Sequence, residues 1–560
     1  MYAKEKKQIS VGVDDFKKLI EENFYFVDKS LFIKNILDSR AVTTLIPRPR
    51  RFGKTLNLSM LRYFFEKSDT SNRHLFNKLE IEKHPRYMEH QGQHPVVWMS
   101  FKDVKVGTWD ICYRETQEVI VNEFARHNYL LNSPALNIVQ KRNFAAIMDK
   151  SADQTLFHRA LLILSDCLAT HHGKPTIILI DEYDSPIHEG YVKGYYQEII
   201  SFMRIFLGAG LKGNEALKMG VLTGILRVAK ESIFSGLNNL FISSLTDTTF
   251  DDKFGLLENE VTEILRYFGL ENNIDTVREW YDGYQSGLHK IYNPWSIVSL
   301  IKYKGALRPY WVNTSDNALI KELLKKASAT TKEELEVLIA GGKLTKAIQE
   351  NIIMTDIANE ETLWNFLLFC GYLTFENYEV ESQSNLAELS IPNKEVRESY
   401  ITSFRNWFGT IVDTNVYNSM LKSLITGDID NFREFFERLV LETLSSFDVG
   451  GEEPERFYHA LVLGMLSSLF ETHLVKSNRE SGMGRYDIML IPKNKTKLGI
   501  IIEFKKVRTR LNETLESEAK KALQQIEAKN YEAELRALGI EKILKLGISF
   551  LGKNSLILVG

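Results

Sequence analysis

Four short runs in the first half of the chain are apolar almost from end to end. They are Val42-Thr-Thr-Leu-Ile46, Val96-Val-Trp-Met-Ser100, Ile177-Ile-Leu-Ile180 and Met219-Gly-Val-Leu222. A strand with one wet face alternates apolar and polar side chains. A run without that alternation is buried on both faces, as in a parallel sheet covered by helices. Helical segments lie between the runs, among them Leu56 to Phe65 and Leu156 to Ala169. The stretch from Ala41 to Leu245 is therefore expected to form an α/β sandwich.

At 560 residues the chain exceeds the roughly 250–300 residues at which one core stops growing. Three segments are expected: 1–255, 256–440 and 441–560. The middle segment reads as mostly helical, with aromatic clusters at Trp280-Tyr281 and Tyr310-Trp311. Helices are expected over Ala318 to Ala327 and Glu333 to Ala347, and through most of Val396 to Phe447. The pattern then changes to α-β-β-α-β. A helix over Glu455 to Leu469 precedes strands Tyr486 to Ile491 and Leu498 to Phe504. A long helix, Leu515 to Leu535, leads to a strand near Lys545 to Ser549. The expected class is α/β, a P-loop-type parallel sandwich joined by a helical middle to a smaller C-terminal α/β domain.

Composition narrows the function classes. Hydrophobic residues make up 44% and charged residues 26%, as in a folded soluble protein. Cys112, Cys167 and Cys370 are far apart and form no CxxC pair, which disfavours a disulfide framework or structural zinc. Met1 to Ser10 is Lys-rich and polar, without the apolar stretch of a signal peptide. The longest apolar candidates, such as Leu461 to Phe470, are too short to span a membrane. A cytoplasmic protein is expected. The net charge of −3 provides no global basic field, so any nucleic-acid contact must be a local patch.

The first chemical constellation is Arg48-Pro-Arg-Arg-Phe-Gly-Lys-Thr55, between a strand and a helix. Backbone N–H groups and a helix N-terminus at such a place cradle phosphate. Arg50, Arg51, Phe52 and Gly53 form the loop. Lys54 would reach the β- and γ-phosphates, and the Thr55 hydroxyl would ligate magnesium. The motif's first glycine is replaced by Arg48. Asp181 and Glu182 follow an apolar strand, the Walker B arrangement. Asp181 would hold Mg2+, and Glu182 would activate the attacking water. The run Met219 to Leu222 ends at Thr223-Gly224, where Thr223 would sense the γ-phosphate and Arg227 would neutralise charge. A helix cap and a surface arginine explain the last two equally well.

The second constellation is Asp487, Glu503 and Lys505. Residues two apart on a strand share a face, so Glu503 and Lys505 point the same way. If the two strands pair as a hairpin, Asp487 lies beside Glu503. Two carboxylates and a lysine would then converge, able to hold a metal that activates water against a phosphodiester. On the next helix Leu515, Ala519, Ala522 and Ile526 make an apolar stripe, with Gln525 beside it. Taken alone, these charges would read as a surface ion pair.

These residues carry a resemblance. The N-terminal half resembles the AAA-ATPase-like domain of a large bacterial family abundant in Bacteroidetes and their relatives. The matching stretches are Val11 to Phe16, Phe26 to Lys29, Arg48 to Leu56, Ile180-Asp-Glu-Tyr-Asp184, Leu222 to Arg227, Ser232 to Asn239 and Trp280 to Tyr284. The C-terminal part resembles a PD-(D/E)xK nuclease-like, restriction-endonuclease-like domain through Phe457-Tyr-His459, Ser477 to Gly482, Gly484 to Asp487 and Ile502 to Lys505. The resemblance implies that Arg48 is a family habit. It implies that Asp487, Glu503 and Lys505 map onto the nuclease core, with Gln525 as an accessory and Glu455 near the helix-borne acid, His459 one turn on.

The expected function is ATP binding and hydrolysis that gates a nuclease using Mg2+, or Mn2+, on DNA, with RNA not excluded. Lys505, Lys506, Arg508 and Arg510 would add phosphate contacts. The rival expectation is a nucleotide-regulated binding or signalling protein whose nuclease-like domain does not cleave. No membrane partner is expected. A homo-oligomer is compatible with the sequence, Arg227 then acting in its own subunit or a neighbour's.

Overall fold

The computed structural model describes residues 6–227, 240–311, 329–339, 341–350, 360–380, 385–409, 414–446, 462, 465–466, 469, 472–481, 484–508 and 511–560. It divides into two compact units, Met1–Thr314 with Thr345–Val396, and Ser315–Leu344 with Arg397–Gly560.

In the first unit β1 (Thr43–Pro47), β2 (Val96–Ser100), β3 (Thr176–Asp181), β4 (Leu217–Gly224) and β5 (Leu240–Ile242) form one sheet. The order is β2-β3-β4-β1-β5, and every pairing is parallel. β1 and β3 are buried at every position, as runs without alternation require. The short edge strand β5 was not foreseen, since three residues carry too little pattern. Helix Lys54–Phe65 packs Leu58, Leu61, Phe64 and Phe65 on this sheet with Ile46, Leu179 and Val221. The helix expected over Leu156 to Ala169 is two, Gln154–His158 and Ala160–His172, because Arg159 leaves helical geometry between them.

The middle carries more sheet than expected. β6 (Tyr284–Ser286) and β7 (His289–Ile291) form a hairpin, and β8 (Leu344–Ala347), β9 (Thr374–Val380) and β10 (Asn385–Ser390) a sheet of order β8-β10-β9. The helix expected over Glu333 to Ala347 is instead helix Ala329–Ile339 followed by β8. Gly341, at φ +89°, makes the left-handed exit that glycine permits. The helix expected at Ala318 to Ala327 and the stretch Ser232 to Asn239 lie outside the described residues.

The units do not divide at 255 and 440. Gly255 donates its N–H to the Phe52 carbonyl, and Leu256 bridges to Tyr292, so the chain past 255 is built into the first unit. Phe432, Phe436, Leu439 and Val440 share one core with Ile488, Ile500 and Phe550, so 440 falls inside the second.

Glu395 is wholly buried, accepting from Ser296 Oγ and the Trp311 N–H, each at 2.7 Å. Burial pushes its carboxyl up from 4.5 to about 7. Because the folded value is raised, its contribution is fully present below pH 4.5 and is lost as pH rises through 7. That rise corresponds to about 3 kcal/mol at most. Glu395→Gln should flatten this part of the dependence of the melting midpoint on pH. An unchanged profile between pH 4.5 and 8 would show that the carboxyl does not titrate there.

In the second unit helices Thr414–Thr426 and Ile429–Ser446 pack on a five-stranded sheet. Its strands are β11 (His473–Ser481), β12 (Gly484–Pro492), β13 (Gly499–Lys506), β14 (Ile543–Leu551) and β15 (Asn554–Val559), in sequence order. β13 and β14 run parallel and the other neighbours antiparallel. The long helix expected over Leu515 to Leu535 is broken into Leu515–Ala528 and Glu532–Ala537. Asn530, at φ +52°, turns the chain between them. A Cβ on Gly547 would lie 2.4 Å from the Ala519 carbonyl oxygen. Only glycine lets the Leu515–Ala528 helix lie this close to β14. The helix expected over Glu455 to Leu469, the run Leu461 to Phe470 included, lies outside the described residues but for a few positions. Among the described residues no helix is long and apolar enough to cross a membrane.

Candidate functional site

The first constellation is assembled by three neighbouring strand ends. β1 delivers the loop Arg48 to Phe52, β3 delivers Asp181, and β4 lies between them with Pro47 opposite Gly224. Gly53, at φ +83°, opens the Lys54–Phe65 helix, so the loop runs straight into a helix N-terminus. Lys54 Nζ is buried and donates to the carbonyls of Arg48 and Pro49, both at 3.0 Å. Burial pushes its ammonium below the usual lysine range, with Glu182, Asp181 and Asp184 pulling the other way.

Thr55 Oγ1 donates to Asp181 Oδ2 at 2.7 Å, and Thr223 Oγ1 donates to Asp181 Oδ1 at 2.6 Å. Burial and the Glu182 charge push the Asp181 carboxyl up, against the two threonines and Lys54. The donor set is hydroxyl and carboxylate oxygen, which suits a hard, six-coordinate Mg2+. Glu182 follows at φ +48° and accepts from Ser185 Oγ at 3.0 Å.

The loop arginines are held differently from one another. Arg48 is buried, donating to the carbonyls of Pro47 and Ser243 at 2.9 and 2.6 Å. Burial lowers its guanidinium to about 10. The Arg50 carbonyl accepts from Asn293 Nδ2 and Trp311 Nε1, each at 3.3 Å. Arg51 lies 4.0 Å over the Trp295 ring, a cation–π contact, with Glu182 among its charged neighbours. Phe52 is buried edge-on against Tyr284. Arg227 pairs with Glu350 at 3.7 Å.

Asp184 was matched as part of a motif but given no role by sequence reasoning. It is buried and accepts from the N–H groups of Ile225 and Leu226 at 2.8 and 2.9 Å. Burial alone pushes its carboxyl up, but His188 and these two N–H groups hold it below the usual range.

In the second unit β12 and β13 pair antiparallel, with Ile488 opposite Ile502. That register sets Asp487 beside Glu503. Glu503 Oε2 accepts the Asp487 N–H at 3.2 Å, and Asp487 Oδ2 accepts the Phe504 N–H at 2.7 Å. Lys505 Nζ lies 3.5 Å from Glu503 Oε1, and Gln525 Nε2 donates to that same oxygen. Tyr531 stands 3.2 Å from Gln525 Nε2. Sequence reasoning missed Tyr531 because the helix break that brings it there was missed. The four expected residues are thus together. Burial and the Asp487 charge push Glu503 up to about 8, against Lys505.

Among the described residues no group of three or more His, Cys, Asp or Glu gathers around a point. Two adjacent carboxylates, of which Asp487 raises the proton affinity of Glu503, still fit a cation that keeps several waters and takes its other ligands from phosphate, as Mg2+ does. Lys506 and Arg508 follow on the strand end. Arg510, Glu455 and His459 lie outside the described residues.

Comparisons with known proteins follow this division. Residues 10–234 match the family described as "Predicted AAA-ATPase". Residues 453–559 match the PD-(D/E)XK nuclease superfamily. The chain is 26% identical over 563 residues to an uncharacterised protein in the vnfD 5′ region of Azotobacter chroococcum mcd 1, covering 97% of this chain and 96% of that one. Among solved structures, a Walker-type ATPase of Pyrococcus abyssi is similar at 15% identity and a TM-score of 0.36, over 67% of this chain and 95% of its own. The chain therefore carries an AAA-ATPase-like domain in its N-terminal half and, at its C-terminus, a domain of the PD-(D/E)XK nuclease superfamily.

Proposed function

We propose that the protein binds and hydrolyses ATP, and that ATP gates metal-dependent phosphodiester hydrolysis of nucleic acid, DNA first, by its C-terminal domain. The observation that carries the nucleotide half is the triad of Thr55, in the first turn of the helix after the loop, with Asp181 and Thr223 at the ends of β3 and β4. For the nuclease half it is the convergence of Asp487, Glu503, Lys505 and Gln525.

Bound at Thr55 and Asp181, and at Asp487 and Glu503, Mg2+ (or Mn2+ at the second site) supplies charge neutralisation at phosphate and activation of water. The remaining work belongs to the chain. Lys54 exchanges its two loop carbonyls for phosphate oxygens. Glu182, with its own carboxylate near Arg51 and Lys54, orients the attacking water and takes its proton. Arg50 and Arg51 add positive charge at the loop. Thr223, tied to Asp181, reads the γ-phosphate, and Arg227 reaches it by leaving Glu350. In the second unit Gln525 and Lys505 hold the Glu503 carboxylate towards Asp487, and Lys505 stabilises charge on the scissile phosphate. Lys506 and Arg508 contact backbone phosphates in a salt-sensitive, sequence-blind manner.

The test is cleavage of linear, circular and single-stranded DNA and of RNA by the full chain, with Mg2+ or Mn2+, with and without ATP. Cleavage that vanishes in Asp487→Ala/Glu503→Ala and changes with ATP is the expected result. No cleavage with ATP binding intact would favour a nucleotide-regulated binding protein. For the ATPase, Glu182→Gln should bind ATP with unchanged affinity and turn it over about 100-fold more slowly. Equal turnover would remove Glu182 from the chemistry.

A further inference from the structure

Asp184 connects two turns that the proposed ATPase chemistry needs in register. One is the Asp181-Glu182 turn after β3, where Glu182 takes a left-handed conformation. The other is the turn after β4, which runs from Thr223 to Arg227. One carboxylate oxygen of Asp184, Oδ2, accepts both N–H groups of the second turn, from Ile225 and Leu226. Its neighbour Tyr183 repeats the link twice: the Tyr183 N–H donates to the Thr223 carbonyl at 3.1 Å and its hydroxyl to the Leu226 carbonyl at 2.8 Å. Gly224 leaves room for the approach, since a Cβ there would lie 2.6 Å from Asp184 Oδ1 and 2.8 Å from the Tyr183 ring. His188, one helical turn on, stands 3.4 Å from Asp184 Oδ2.

We propose that Asp184 is a positioning residue for ATP hydrolysis, clamping the Glu182 turn to the Thr223–Arg227 turn so that water activation and γ-phosphate recognition stay aligned. This rests on the ATPase reading above. Asp184 itself touches no substrate. A buried carboxylate that takes two backbone N–H groups on one oxygen fixes a turn more rigidly than one bond does, since both peptide planes are set by a single atom. Loosening the clamp leaves the phosphate loop and its lysine in place, while the groups that act only as the γ-phosphate leaves lose alignment. A displacement of about 1 Å at such groups costs on the order of 100-fold in rate.

The experiment measures Mg-ATP binding by calorimetry and phosphate release at saturation, on the full chain. Asp184→Ala should bind ATP within about threefold of wild type while its kcat falls about 30-fold or more. Asp184→Asn keeps an oxygen for both N–H groups and should recover most of that rate, to within about fivefold of wild type. Adding Arg227→Ala to Asp184→Ala should lower kcat little beyond the larger single effect, because residues acting as a unit are not additive. A solely architectural role predicts the opposite, with binding and melting midpoint falling together and losses that multiply. If Asp184→Ala does not fold, Gly224→Ala wedges the clamp and Tyr183→Phe removes one of its links; both should lower kcat and spare binding.

Wild-type kcat in Asp184→Ala, or in both substitute variants, would overturn the proposal, as would multiplying losses. No turnover in wild type, or equal turnover in Glu182→Gln, would instead overturn the ATPase reading and this inference with it. Turnover lost in Glu182→Gln but kept in the clamp variants overturns this inference alone.

Discussion

Asp487→Asn is expected to lower phosphodiester cleavage about 1,000-fold, the scale of removing a metal-holding carboxylate, while making the protein more stable above pH 8. The two effects share one cause. Burial and the charge of Asp487 together lift Glu503 to about 8. A carboxyl whose folded value is raised contributes stability at low pH that is lost as pH climbs through that value. Asparagine keeps an oxygen for the Phe504 N–H, which Asp487 Oδ2 accepts at 2.7 Å, but removes the like charge. Glu503 then ionises at lower cost, and the gain at pH 8.5 is on the order of 1 kcal/mol. At pH 5 Glu503 is protonated in either protein, so the gain disappears. Thermal melts at the two pH values, beside a cleavage assay, read both arms. Undiminished cleavage would remove Asp487 from the chemistry, and a lower midpoint at pH 8.5 would mean that it braces the hairpin.

Lys54→Ala should weaken ATP binding about 100-fold or more and leave divalent-metal affinity at Asp487 and Glu503 unchanged. The Lys54 ammonium donates to the carbonyls of Arg48 and Pro49. Triphosphate has to offer better acceptors than two neutral oxygens, and a phosphate does so because its bonds are charge-assisted. Removing the amine takes away that gain and leaves both carbonyls without this donor. Titrations with ATP and, separately, with Mn2+ distinguish the two losses. Metal affinity that fell along with ATP affinity would mean that the two sites are not independent.

The adjacency of Asp487, Glu503 and Lys505 was legible because it depends on strand periodicity and one hairpin, both local. The same holds for Asp181 at the end of an apolar run and for Thr55 after a glycine. What escaped the sequence depends on tertiary packing. Asn530 and Lys529 favour helix ends only weakly, so one long helix was expected, and the inward swing of Tyr531 was hidden. β5 and β15 take their place from the neighbours they pair with rather than from their own pattern. Asp184 looks like any residue at a helix start until the β4 turn is laid against it. Arg227 could be placed at a strand end, but not its pairing with Glu350, over one hundred residues away.

Arg48 shows what a substituted motif position entails. Its guanidinium reaches past the loop to the Ser243 carbonyl just beyond β5, so the loop's shape is written partly in a strand nearly two hundred residues downstream. Such a loop is not a portable cassette. Restoring glycine at position 48 would make the chain look more orthodox to a pattern search while stripping out the cross-brace that holds the loop, and grafting the octapeptide onto another sheet would carry the letters without the anchor.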